Sequence, residues 1–266
     1  MRIRLQPVPA RRAAERALTL LEMMVAISLL LIIVLGLYAM FDQTQKAFRS
    51  GLTQIDVLEA QRASMDIMIR EVEQSCPLPG ATGCTNFYSE VNPFPVPLLL
   101  PLNGPTNFPT EIDNFFFLNR SQTNWIGVAY LIAPTSTNTS DQTLFLNGVG
   151  TLYRFSYTTN GPTVNATNLV DAFLNATFAD YQRVADGAVH LKLRAYQPDG
   201  TATNVFTGSR LPGYVDLEFG ILEPRVIEQA RSIPNTAAMQ AFLGNINQAA
   251  KVHVFRQHIS IRTTSQ

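Results

Sequence analysis

ALTLLEMMVAISLLLIIVLGLYAM, residues 17–40, is the stretch whose reading decides the architecture. From Met23 to Phe41 no charged residue interrupts it. A bilayer core about 30 Å thick is crossed by about 20 apolar residues of helix, and residues 18–41 meet that length. One residue is out of character: Glu22 places a carboxylate one turn inside the apolar end. A charge at the centre of a spanning helix costs about 2.5–3.5 kcal/mol on insertion scales. Near the helix end the cost falls, because the group reaches the interface. An acid there still needs a positive partner.

The flank before the run is of another kind. Arg2, Arg4, Arg11, Arg12 and Arg16 stand against Glu15 alone, a side-chain charge of +4. A basic excess in a short flank stays on the cytoplasmic side, so the rest of the chain is expected outside the cytoplasm. A secretory signal carries its small-residue cleavage site after the apolar segment. Here the small residue, Ala17, precedes it. Cleavage at that point removes the leader, residues 1–17, and leaves the apolar helix on the mature protein.

That order of parts, with Ala17-Leu18-Thr19-Leu20-Leu21-Glu22, resembles the class III signal of type IV pilins and type II secretion pseudopilins. The family pattern is a small residue, usually Gly, then a hydrophobic residue, Thr, Leu, Leu or Ile, and Glu. This chain departs from it with Ala17 in place of Gly and Leu18 where Phe is commonest. The resemblance implies cleavage between Ala17 and Leu18 by a prepilin peptidase and methylation of the new amine on Leu18. It also implies that Glu22 faces the terminal amine of a neighbouring subunit. The physical reason is that an acid in lipid and a buried amine each lower the other's cost. The alternative is a plain membrane anchor with a chance Glu.

Composition bounds the remainder. Charged residues make up 15% of the chain, well below the usual ~25%, with Asn, Thr and Ser abundant instead. The formal net charge is zero, so the mature chain without its basic leader is mildly acidic. Such a surface gives no reason to expect nucleic-acid binding, which wants basic patches. After the membrane segment the helix is expected to continue over residues 42–75. Phe48, Leu52, Ile55, Leu58, Met65, Ile69 and Val72 recur at helical steps, broken once by Arg62. At 1.5 Å per residue, residues 18–75 would extend about 85 Å unbroken, with Gly36 and Gly51 as places to bend.

Residues 76–110 hold half of the prolines and are read as an irregular connection, since proline lacks the N–H of helices and central strands. The two cysteines, Cys76 and Cys84, flank a loop with Pro77, Pro79, Gly80 and Gly83. An oxidising compartment favours a disulfide staple between them. Two thiols alone make a poor metal site, and no C-x-x-C redox motif is present.

Residues 111–266 are expected to form a β-rich globular domain outside the cytoplasm. Strands are expected at 115–118, 125–133, 143–146 and 152–158, and a short helix around Val170, Phe173, Leu174 and Phe178. Val189, Leu191, Leu193 and Ala195 alternate with His190, Lys192, Arg194 and Tyr196. Val215, Leu217, Phe219 and Ile221 alternate with Asp216 and Glu218. Strict alternation marks a sheet with one buried face. The two runs are expected to lie antiparallel, with Lys192 and Arg194 meeting Asp216 and Glu218. Residues 223–243 read as helix interrupted at Pro234. The last strand, 252–262, changes phase between Val254 and Ile259, which predicts a bulge or a bend between them.

The C-terminal stretches DGAVHLKLRAYQPDG, LPGYVDLEFGIL and VFRQHISIR resemble the end of the J-type minor pseudopilin and the related W-type minor pilin. The fold so implied is α+β and pilin-like: one long helix packed on antiparallel sheet. The implied partners are other pseudopilins or pilins through the helix, the prepilin peptidase and the inner membrane. No catalytic, cofactor or metal residues are expected. His190 reads as a surface residue, and His253 and His258 straddle the expected bulge. No G-x-S-x-G, HExxH or P-loop pattern occurs, and the acids are not spaced as a calcium loop requires. A membrane-anchored periplasmic enzyme or binding module is the reading from another class.

Overall fold

The computed structural model describes residues 19–78, 84–93, 98–101, 107–122, 124–159, 167–245 and 252–261. The chain divides into two units, Met1–Leu52 and Thr53–Gln266. The first is helical throughout its described part. Helix α1 (Leu20–Glu73) begins there and runs through Gly36 and Gly51 without interruption. Its first 30 residues, Leu20–Arg49, have the length and hydropathy of a membrane span, with no part of that apolar surface covered by protein.

In the second unit, an eight-stranded antiparallel sheet receives the end of α1. The strands are β1 (Thr85–Val91), β4 (Asp113–Ser121), β5 (Asn124–Ala133), β6 (Gly150–Thr159), β7 (Tyr181–Tyr196), β8 (Val205–Thr207), β9 (Tyr214–Leu222) and β10 (Val252–Ser260). Their order is β10-β9-β7-β6-β5-β4-β1-β8. A separate hairpin joins β2 (Leu99–Pro101) to β3 (Asn107–Pro109).

The run Phe115-Phe116-Phe117-Leu118 does not alternate because both faces of β4 are covered. Phe115 and Phe117 pack with Met65, Met68 and Val72 of α1. Phe116 and Leu118 pack on the other side with Leu169 and Phe173 of α3 (Thr167–Leu174). A third cluster forms where α2 (Thr139–Leu146), α4 (Pro224–Arg231) and α5 (Thr236–Leu243) close one end of the sheet, through Leu144, Val226, Ile227, Met239 and Leu243. The break between α4 and α5 contains Pro234, and Asn235 caps α5 by accepting from the N–H of Ala237 and Ala238. The α+β architecture that the resemblance implied is the one observed, and α3 takes in Val170, Phe173 and Leu174 of the expected short helix, while Phe178 begins a separate 3-10 turn.

Several local expectations are corrected. Residues 76–110 are not a wholly irregular connection: the proline-free run from Thr85 to Val91 enters the main sheet as β1, paired with β4 and β8. Thr143–Leu146 is not a strand but the end of α2. A four-residue apolar run does not distinguish the two by periodicity, and Leu144 needs only one buried position per turn. β10 carries no bulge, since its register with β9 is unbroken from Val252↔Leu222 to Ser260↔Tyr214. Val252 packs on the third cluster while Phe255 and Ile259 face the first, so both phases of the strand find apolar neighbours.

The stripe on α1 is also revised. Phe48, Leu52, Ile55 and Leu58 are exposed, whereas the buried line is Val57, Gln61, Ser64, Met65, Met68 and Val72. A repeat near 3.5 residues drifts about 20° per heptad around a straight helix, so the expected stripe reaches the buried side only at Met65 and Val72. Finally, the Cys76–Cys84 staple is not formed: both thiols are free. Cys76 is held by its N–H on the carbonyl of Leu118, and the carbonyl of Cys84 accepts from Gly208. These bonds tie the two residues to different strands.

Candidate functional site

Ala17 and Leu18 lie outside the described residues. From Thr19 onward the start of the site is visible. The Thr19 hydroxyl accepts from the N–H of Glu22 at 3.3 Å, and its carbonyl from Met23 at 3.2 Å. Thr19 therefore caps α1, because its side chain satisfies one of the four N–H groups that a helix start leaves unpaired. Glu22, an acid in the first turn, also sits favourably at the positive end of the helix dipole. Farther along, Ser28 and Thr44 return their hydroxyls to the carbonyls of Met24 and Met40 at 2.8 Å. These hydroxyls demand no partner in lipid, whereas Glu22 does.

The second unit holds the end of α1 by polar contacts that periodicity does not reveal. Arg154 donates from Nε and Nη2 to both carboxylate oxygens of Glu71, at 2.7–3.0 Å. The Tyr130 hydroxyl donates to Glu71 Oε2 at 2.6 Å, and Asn119 Nδ2 to the Glu71 carbonyl at 3.1 Å. Gln61, fully buried, donates from Nε2 to the carbonyls of Phe219 and His253 on neighbouring strands.

The charged face of β7 and β9 is paired in register as expected, with Lys192 opposite Glu218 and Arg194 opposite Asp216. The ion pairs are different. Lys192 reaches Glu111 at 2.6 Å, Glu218 receives His190 and Arg256, and Asp216 takes His258.

His190 is not a surface residue but fully buried. Residues 111–113 run along the edge of β7, where the Leu191 N–H donates to the Glu111 carbonyl and the Leu193 N–H to Asp113 Oδ2. His190 Nδ1 accepts from the N–H of Glu111, which assigns the proton to Nε2, facing Glu218. Burial holds this imidazole below its ordinary pKa, with Glu218 opposing. Burial likewise pushes the carboxyl of Asp113 up to about 6.

A cleft of about 400 Å³ opens between α1, the β7 bend at Gly187 and α4. Its rim acids are engaged, Glu228 by Arg231 and Asp186 by Arg183 and Thr151. Among the described residues no three His, Cys, Asp or Glu side chains converge as metal ligands. Burial raises the pKa of both cysteine thiols, which disfavours the nucleophilic thiolate.

Residues 12–38 match the prokaryotic N-terminal methylation motif. The match takes in the end of the basic stretch from Arg12, then Ala17, Leu18, Glu22 and most of the apolar run. No curated protein and no solved structure matches the chain. The chain thus carries the type IV pilin and pseudopilin signal on an apolar helix suited to anchor it in a membrane.

Proposed function

We propose that this protein is a non-enzymatic minor pseudopilin of a type II secretion system. It sits near the tip of a short periplasmic filament that serves protein export across the outer membrane. The observation that carries this reading is the methylation motif over residues 12–38, with Glu22 in the first turn of an uncovered apolar helix. A prepilin peptidase cuts after Ala17 and methylates Leu18. The globular unit faces the periplasm, and other pseudopilins pack along α1. The C-terminal resemblance to J-type subunits supports the secretion assignment. The same stretches resemble W-type minor pilins, which makes a type IV pilus the second reading.

The direct test is mass spectrometry of the mature amino terminus. A methylated Leu18 is expected; a terminus at Met1 or Met23 sinks the filament reading. Deleting the gene separates the two machines: loss of exported proteins marks a secretion system, and loss of surface pili with secretion intact marks a pilus.

A further inference from the structure

The start of β4 returns to β7, so that strands β4, β5, β6 and β7 close on one another. Beyond Ala188, β7 pairs with β9 and no longer with β6. The side that β6 leaves is taken by residues 111–113, with Ile112 in a parallel bridge to Leu191. The Leu191 N–H donates to the Glu111 carbonyl at 2.9 Å, and the Leu193 N–H to Asp113 Oδ2 at 2.8 Å. In return the Glu111 N–H donates to His190 Nδ1 at 3.0 Å. That last bond puts an imidazole nitrogen where a strand carbonyl would normally accept, and an imidazole nitrogen takes up protons.

We propose that residues 111–113 are a latch, and that uptake of a proton by His190 opens it while the rest of the sheet stays paired. The neutral ring offers one acceptor; the protonated ring has two donors and none. Nδ1–H would then meet the N–H of Glu111 around a fully buried side chain, and a buried donor without a partner is costly. Opening lets water serve both donors. It also uncovers the N–H groups of Leu191 and Leu193, a short strand edge that is hidden while the latch is closed.

The groups facing His190 are Glu218 of β9 at 3.2 Å, with Arg256 of β10 behind it at 3.3 Å, Lys192 of β7, and Glu111 of the latch. Burial, the largest influence, and Lys192 oppose the charged ring; Glu218 and Glu111 favour it, and the balance lies against the charge. Acid therefore favours the open latch through His190. Asp113 works the other way. Burial holds its carboxyl at about 6 in the closed latch, against 3.8 in water, so acid favours closure through Asp113. In the parent chain the two titrations oppose each other. Without Asp113, opening through His190 stands alone. Every group involved belongs to the second unit, and the inference does not depend on the assembly reading. The competing account is that the protonated ring stays buried on Glu218 and the latch stays shut.

Hydrogen exchange of the full-length chain in detergent, divided at each pH by the rate of an unstructured peptide, decides between them. The amides of Glu111, Leu191 and Leu193 report the latch, and amides paired between β5 and β6 report the sheet. In Asp113→Asn, whose side-chain oxygen still accepts from Leu193, protection of the three should fall as pH drops from 6.5 to 5. The fall should be about threefold or more, and at most about tenfold per pH unit for one proton. The β5–β6 amides should not follow. Adding His190→Asn, whose side-chain oxygen accepts from Glu111 but takes up no proton, should abolish the fall. In His190→Asn alone, protection should rise as pH falls through 6. Flat protection in Asp113→Asn overturns the proposal. So does a fall that survives His190→Asn, or one that the β5–β6 amides share in equal measure. Should the double variant fail to fold, NMR of the His190 ring in Asp113→Asn takes its place. Protection must stop falling at the pH where that ring is half protonated; a ring that titrates elsewhere overturns the latch.

Discussion

Glu71 and Arg154 form a two-pronged ion pair that fastens the end of α1 to β6, with both side chains about four-fifths buried. Tyr130 on β5 donates to the same carboxylate. Burial, then Glu71, push the pKa of this phenol up, so it stays a donor. Removing one partner of a buried pair leaves an uncompensated charge and costs about 3–5 kcal/mol when burial is complete. The residual exposure argues for less. Arg154→Met is expected to lose about 2–3 kcal/mol, and Tyr130→Phe about 1 kcal/mol, by chemical denaturation of the detergent-solubilised chain. Equal stability of Arg154→Met and the parent would show that the pair does not hold the helix end.

Asp113 ties β4 to β7 through the Leu193 N–H, yet its other oxygen is buried without a partner. Burial is the main reason its carboxyl titrates near 6, ahead of the lowering by the Leu193 N–H and the opposed influences of Glu111, Lys192 and Arg194. The folded state therefore binds this proton more tightly than the unfolded state, whose carboxyl titrates at 3.8. Its destabilising contribution is absent below about pH 4, grows as pH rises through 6, and is complete above that. Asp113→Asn is expected to gain about 1–2 kcal/mol at pH 7.5 and to flatten the stability profile between pH 4 and 7. Loss of stability at pH 7.5 would contradict this.

His190 acts in the opposite sense. Its buried imidazole accepts from Glu111 and faces Glu218, with Lys192 nearby. A folded-state pKa below the ordinary 6.5 means that its stabilising contribution is present above pH 6.5 and is lost as pH falls through the depressed value. Imidazole NMR should find the titration midpoint of His190 below 6.5, with the proton of the neutral ring on Nε2. A midpoint at or above 6.5 would show that the environment does not exclude the charge.

The antiparallel pairing of β7 with β9 was legible, because each strand has one apolar face and a one-residue slip would turn that face outward. The charged side of the same strands was not. Alternation marks His190 as polar-facing, but it cannot reveal that residues 111–113, distant in sequence, run along that edge and bury it. β1 was hidden by the prolines around it. Gln61 and Glu71 were hidden for another reason: a helix face that carries amides and carboxylates into a sheet reads as solvent-facing until its partners are known. In the membrane half, the signal residues and their spacing were plain, but the capping role of Thr19 was not noticed. The Thr-x-x-Glu spacing at 19–22 could have announced it.

The free thiols offer a simple check on the surroundings of Cys76 and Cys84. Cys84 is fully buried and Cys76 is partly exposed. Burial raises both thiols, and for Cys76 the nearby Arg120 works against that rise. Under native conditions at pH 8, maleimide should modify Cys76 first and Cys84 only on unfolding. If neither reacts until a reductant is added, the two are joined by the staple expected outside the cytoplasm.

Glu22 has two separable duties, and substitution can tell them apart. As the first-turn acid beside the Thr19 cap it favours the helix start by about 0.3–1 kcal/mol. As an uncompensated carboxylate in the apolar span it would, in the proposed assembly, face the amine of a neighbour. Thr19→Ala removes the cap and is expected to cost about 1 kcal/mol at the helix start, leaving filament incorporation largely intact. Glu22→Ala loses little at the helix start and makes insertion easier, because a charge leaves the span. Incorporation should nevertheless fall sharply. Glu22→Gln keeps the shape and hydrogen-bonding reach without the charge, and it should fall with Ala if attraction to an amine is what counts. The measurement is the fraction of membrane-inserted chain recovered in sheared filaments. Incorporation of Glu22→Ala at the parental level would assign the acid to helix capping alone.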